Sequence, residues 1–154
     1  MKKTLVLSFL SVILIMISGC KEAEKKKTNF PNELKNTHWI VNYGGLISPE
    51  GESTYDLSKR IDTAFILNFH AIDFFDAEKF SSYDNWECGN DCFTKIYGKY
   101  YFTEAHQIRM EVDSISKSEF CDVPTQVFKP SKEMVFDLVK KGTQLTLIRN
   151  KNVK

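Results

Sequence analysis

Four cysteines and three histidines are the residues of this 154-residue chain best suited to chemistry. Cys20 closes an apolar N-terminal run, while Cys88, Cys92 and Cys121 lie in the body of the chain. In an oxidising compartment three thiols make one bridge and leave one over. Sequence proximity favours Cys88–Cys92, with Cys92–Cys121 and Cys88–Cys121 left open. A thiol metal site would want histidine at finger-like spacing, and none follows. A redox pair would want Cys-x-x-Cys, but three residues separate Cys88 from Cys92. His38 and His70 alternate outward from apolar faces and His106 falls in a turn, so all three read as surface histidines. The chain carries no nucleophile elbow, no His-Glu-x-x-His and no Gly-rich phosphate loop. Its acidic residues are scattered singly apart from Asp73 and Asp76, so no general-acid pair is marked. These residues point away from an enzyme, and they imply no cofactor and no metal.

Aromatics make up 13% of the chain, with twelve Phe among them, and that favours strands. Phe65, Leu67, Phe69, Tyr101 and Met110 are the candidate lining of an apolar ligand cavity. The competing reading is that they fill a core. A barrel of eight strands or fewer is just wide enough for its own side chains, and core filling is the preferred reading.

The elements that would position these residues read as short strands. Residues 93–102 form one strand, 103–106 a polar turn, and the strand after it alternates cleanly. Ile108, Met110 and Val112 take one face of that strand; Arg109, Glu111 and Asp113 take the other. The first strand spans 36–43, with Trp39, Val41 and Tyr43 on one face. Residues 48–60 contain Pro49 and Gly51 and read as a loop. Residues 63–75 form an apolar strand with Phe65, Leu67 and Phe69 on one face and Ile66, Asn68 and His70 opposite. Residues 73–78 turn the chain, 80–86 add a short strand, and 88–92 make a tight polar loop. Residues 116–132 hold Pro124 and Pro130 and read as a long connection. A strand over 132–141 leads through a turn at Gly142 to the last strand, where Leu145, Leu147 and Arg149 share a face. Short strands, turn residues and little helix predict an all-β fold, a small antiparallel barrel.

Hydrophobic content of 42% and charged content of 27% are ordinary for a globular protein. Net charge is +1, and two of the 21 Lys and Arg residues, Lys2 and Lys3, precede the apolar run. Without those two, 19 basic face 20 acidic side chains, so no basic excess remains to bind nucleic acid. Lys2-Lys3, the apolar residues 5–17 and the small residues before Cys20 have the layout of a secretory leader. Ile17-Ser18-Gly19-Cys20 also resembles the lipobox of bacterial lipoproteins. That resemblance implies cleavage before Cys20 and acylation of Cys20 with palmitate-type chains. It also implies attachment to the cell envelope, at the outer membrane on its periplasmic or surface face. Two or more acyl chains anchor stably where one does not.

Two further resemblances concern the body of the chain. Trp39 in the opening strand and Arg149 ending the last strand resemble the signature of lipocalin-like (calycin) barrels, in which an early Trp packs under a late Arg. Thr37 stands where that signature has Gly. Cys92, Gly98-Lys99-Tyr100 and the segment ending in Cys121 resemble META-domain lipoproteins, which implies a Cys92–Cys121 bridge. The expected organisation is a signal peptide over 1–19, a lipidated cysteine and charged tether over 20–34, a barrel over 35–150 and a tail over 151–154. The expected function is non-enzymatic binding at the envelope, with another envelope protein as partner. The alternatives are carriage of a small apolar ligand inside the barrel and inhibition of an exogenous lysozyme or protease.

Overall fold

The computed structural model describes residues 30–61, 67–86, 92–118 and 121–151. The expected leader, Cys20, Phe65 and Cys88 lie outside the described residues. Eight strands run as β1 (Thr37–Tyr43), β2 (Thr54–Lys59), β3 (Phe69–Phe74), β4 (Lys79–Asn85), β5 (Thr94–Glu104), β6 (Gln107–Lys117), β7 (Gln126–Lys141) and β8 (Gln144–Arg149). They close an antiparallel barrel in the order β1-β2-β8-β7-β6-β5-β4-β3. The predicted fold class is the observed one. The connectivity departs from an up-and-down barrel at one place, because β1 lies between β2 and β3.

Period-two alternation sets the core. Ile96, Gly98, Tyr100 and Phe102 of β5 face Ile108, Met110 and Val112 of β6, and all seven point inward. Gly98 is required there, since a Cβ would collide with the Glu111 carbonyl and the Phe80 ring. Tyr101 has the opposite parity and sits on the outer face, opposite Arg109. It therefore cannot share a cavity with Met110, which is fully buried inside. Tyr55 meets Phe136 edge-on with centroids 5.9 Å apart, and Phe74 meets Tyr100 at 4.7 Å.

Both ends of the barrel are stoppered. At one end residues 30–36 dock: Leu34 is buried, Phe30 packs on the core, and Asn32 bonds the Ala77 carbonyl and the Tyr100 hydroxyl. The expected tether thus becomes part of the fold from Phe30 onward. At the other end the β1–β2 connection folds inward. Ile47 is fully buried, and its N–H donates to Ser82 Oγ. Gly44 makes this turn at φ 98°, with the Tyr55 ring against its Cα.

Four expectations change. Residues 54–59, expected in a loop, are strand β2, with Tyr55 and Leu57 buried inside. A bulge between Val41 and Tyr43 turns Tyr43 outward, 60% exposed, away from the face of Trp39 and Val41. In β3 the inward parity belongs to His70, Ile72 and Phe74, which pair with Val41, Trp39 and Thr37, so Phe69 lies on the opposite face. Finally, β7 begins at Gln126, inside the expected connection. Its register against β6 jumps from Lys132 to Val127, placing Pro130 in a bulge where it withholds no ladder bond.

The expected packing of Trp39 under Arg149 does not form. Along β2 the two sit at opposite ends: Trp39 pairs with Lys59, while the Arg149 N–H bonds Ser53. Arg149 instead stacks over Phe136 at 5.3 Å and donates to the carbonyls of Ser48 and Pro49. It clamps the β1–β2 connection into the barrel end. Trp39 is buried at the other end and donates through Nε1 to Thr37 Oγ1.

Candidate functional site

The residues that could carry recognition gather at the rim where β4, β5 and β6 end. Cys92 and Cys121 form a disulfide there, with Cα atoms 5.6 Å apart. Thr94 pairs with Lys117 at the open end of the β5–β6 hairpin, so the bridge closes that hairpin just beyond its last rung. The loop closed spans 29 residues. The bridge ties the start of β5 to the β6–β7 connection, where Ser118 N–H bonds the Phe93 carbonyl and Val123 stands exposed.

Beside the disulfide lies a charged and aromatic cluster. Asp84 of β4 contacts His70 Nδ1 through Oδ1 at 2.7 Å and accepts the Thr94 N–H through Oδ2 at 3.0 Å. With a carboxylate as acceptor the ring proton sits on Nδ1. Lys117 Nζ donates to Thr94 Oγ1 at 2.8 Å. Trp86, just past β4, packs edge-on against His70 at 5.5 Å and leaves 41% of its surface in solvent. A shallow cleft of about 260 Å³ opens between Tyr83, Phe93, Lys95 and Ser116. His70 was expected to be a surface residue, yet it is half-buried and held by a carboxylate.

A second histidine–carboxylate contact lies on the outer face. Asp73 is buried and lies 3.0 Å from His38 Nδ1 and 3.4 Å from Arg60 Nη2. The Tyr83 hydroxyl donates to Asp73 Oδ2 at 2.9 Å and accepts from Arg60 Nη1 at 2.7 Å. Burial pushes the Tyr83 phenol upward; Arg60 opposes this and Asp73 adds to it. The group pins Arg60, at the end of β2, across β1 and β3. Its hydrogen bonds run from Arg60 through Tyr83 to Asp73, while His38 Nδ1 and Asp73 Oδ1 approach each other without hydrogen-bond geometry.

The His70–Asp84 pair has the geometry of a base and its orienter. Catalysis would also need a nucleophile bonded to the ring. Among the described residues His70 makes its one hydrogen bond to Asp84. Among the described residues no three His, Cys, Asp or Glu side chains converge as a metal site would require.

Of the residues named from sequence, Cys92 and Cys121 come together as the META resemblance implied. Leu67 and Phe69 stand half-buried at the start of β3, Met110 is in the core and Tyr101 is outside. Tyr101 and Met110 therefore lie on opposite sides of the barrel wall. Trp86, His70 and Asp84 were not foreseen as a group. Their one sequence signal was the parity of His70 with Ile72 and Phe74. No known protein family, curated protein or solved structure matches this chain. The class is therefore set by fold and site alone: a closed eight-stranded antiparallel barrel with a large apolar core and a disulfide-fixed rim.

Proposed function

We propose that this chain is a lipid-anchored envelope lipoprotein, acylated on Cys20, whose barrel acts as a non-enzymatic interaction module. The observation that carries this reading is the filled interior. Tyr55, Tyr100, Phe74, Phe80, Phe136 and Met110 occupy it, with Leu34 and Ile47 stoppering its ends. A filled barrel counts against carriage of an apolar ligand and leaves recognition to the surface. The rim with Trp86, Val123 and the disulfide is the best-built part of that surface. It combines a rigid base with an exposed aromatic anchor. The N-terminal segment enters at the opposite end, beside Ala77 and Tyr100. An anchor at Cys20 would therefore leave the rim facing away from the membrane, toward a second envelope protein.

A photo-crosslinking residue at Val123 in growing cells tests the rim. One adduct of fixed size, lost on Trp86→Ala and missing from a probe at Val139, is the expected result. Equal labelling at both positions refutes the rim as the contact. Cys20→Ala tests the anchor separately, and it should move the protein out of the membrane fraction. The disulfide-pinned connection beside Trp86 also favours a narrower reading, inhibition of an attacking lysozyme or protease. Under that reading the purified protein lowers the enzyme's activity and Trp86→Ala restores it.

A further inference from the structure

We infer that the outer face of the β1–β2–β8–β7 sheet carries a second binding site, one that takes a short stretch of neutral polysaccharide. A groove of about 380 Å³ runs across it, bounded by Tyr43 and Asn42 of β1, Asp56 of β2, Gln144 and Thr146 of β8 and Lys141 of β7. Small-molecule sites occupy roughly 300–1,000 Å³, and this groove falls in that range. The cleft at the rim, about 260 Å³, and a third hollow beside Tyr97, about 180 Å³, do not reach it.

Three features select the ligand class. Tyr43 is 60% exposed, more than any other aromatic among the described residues, and a β-bulge turns it out of the barrel at the groove's edge. Such a ring offers a flat apolar platform with a polar tip, as the C–H face of a sugar ring requires. The polar groups are also pre-set. Thr146 Oγ1 donates to Asp56 Oδ1 at 2.8 Å and Ser58 Oγ donates to Asn42 Oδ1 at 3.3 Å. Each bond fixes one atom and leaves the other, Asp56 Oδ2 and Asn42 Nδ2, unbonded among the described residues. Lastly, donors and acceptors are mixed: an amide donor, a carboxylate acceptor, the Gln144 amide that does both, and the Lys141 ammonium. A sugar hydroxyl both gives and takes a hydrogen bond, and this set answers both needs.

Other ligand classes fit less well. An anion would meet Asp56 as well as Lys141. An apolar ligand would find Leu57 and Leu145 already buried beneath the polar layer. An extended peptide adds to a free sheet edge, and the closed order of strands offers none at this face.

The test uses the full-length lipidated protein in a sugar-free detergent, titrated with chitotriose and with maltotriose by calorimetry. At least one trisaccharide should bind in the millimolar range. Tyr43→Ala should weaken that binding about tenfold or more, equivalent to ~1.4 kcal/mol. Tyr43→Phe, which keeps the ring, should hold it near wild type, and Trp86→Ala at the rim should leave it unchanged. Failure of both sugars to bind at ~10 mM, an affinity worth less than ~3 kcal/mol, overturns the inference. So does binding that survives Tyr43→Ala.

Discussion

Arg149 joins three parts of the barrel through one guanidinium. Its two amino groups reach successive carbonyls of Ser48 and Pro49, and its plane lies over Phe136. A lysine can supply the charge but neither the planar fork nor the stacking. Arg149→Lys should therefore destabilise by ~1–3 kcal/mol in urea unfolding, as loss of charged hydrogen bonds does. A lysine variant as stable as wild type would show that the clamp contributes little. Tyr100 supplies a pH signature. Burial pushes its phenol up to about 12 from the usual 10, with the Asn32 bond opposing the rise. A raised pKa means the folded state holds the proton more tightly than the unfolded chain. That contribution is complete below pH 10 and is lost as pH climbs toward 12. Between these values stability should fall more steeply for wild type than for Tyr100→Phe, read by denaturant midpoints across the range.

At the scale of elements, the β5–β6 hairpin is the framework. Its ten paired positions run from the turn at Ala105 and His106 to the disulfide. Closing a loop of 29 residues removes unfolded-state entropy worth ~3–4 kcal/mol on the chain-entropy model. Reduction should lower the unfolding midpoint accordingly while the barrel signature in circular dichroism persists at low denaturant. No shift on reduction would mean the rim is held by packing alone. Gly98 sets how closely β5 and β6 pack inside this framework. Gly98→Val should cost ~1–3 kcal/mol or more, because the Glu111 backbone cannot yield as a side chain would. The hairpin was legible from sequence because Ile108, Met110 and Val112 alternate without interruption. Strand β2 was not, although Tyr55 and Leu57 alternate just as well. Pro49, Gly51 and the charges around them masked a run of six residues.

For the whole molecule, the stoppered interior has a direct consequence. Organic extraction of protein purified under mild conditions should yield no stoichiometric apolar ligand held without a covalent bond. Recovery of one would reopen the carrier reading. Trp39→Ala should destabilise by ~3–5 kcal/mol through core truncation. The loss would come from the end that Leu34 covers and would leave the Arg149 clamp untouched.

Alternation of side chains is a local property with period two, so the sequence by itself determined the all-β class, the core faces of β6 and β8, and the inward aim of Trp39. Register is not local. A strand of the right parity can slide along its neighbour by two residues and keep its buried face, and only closure of the barrel selects one setting. That closure alone decided that Trp39 and Arg149 stand at opposite ends of β2. It also brought His70 and Asp84 together from two strands.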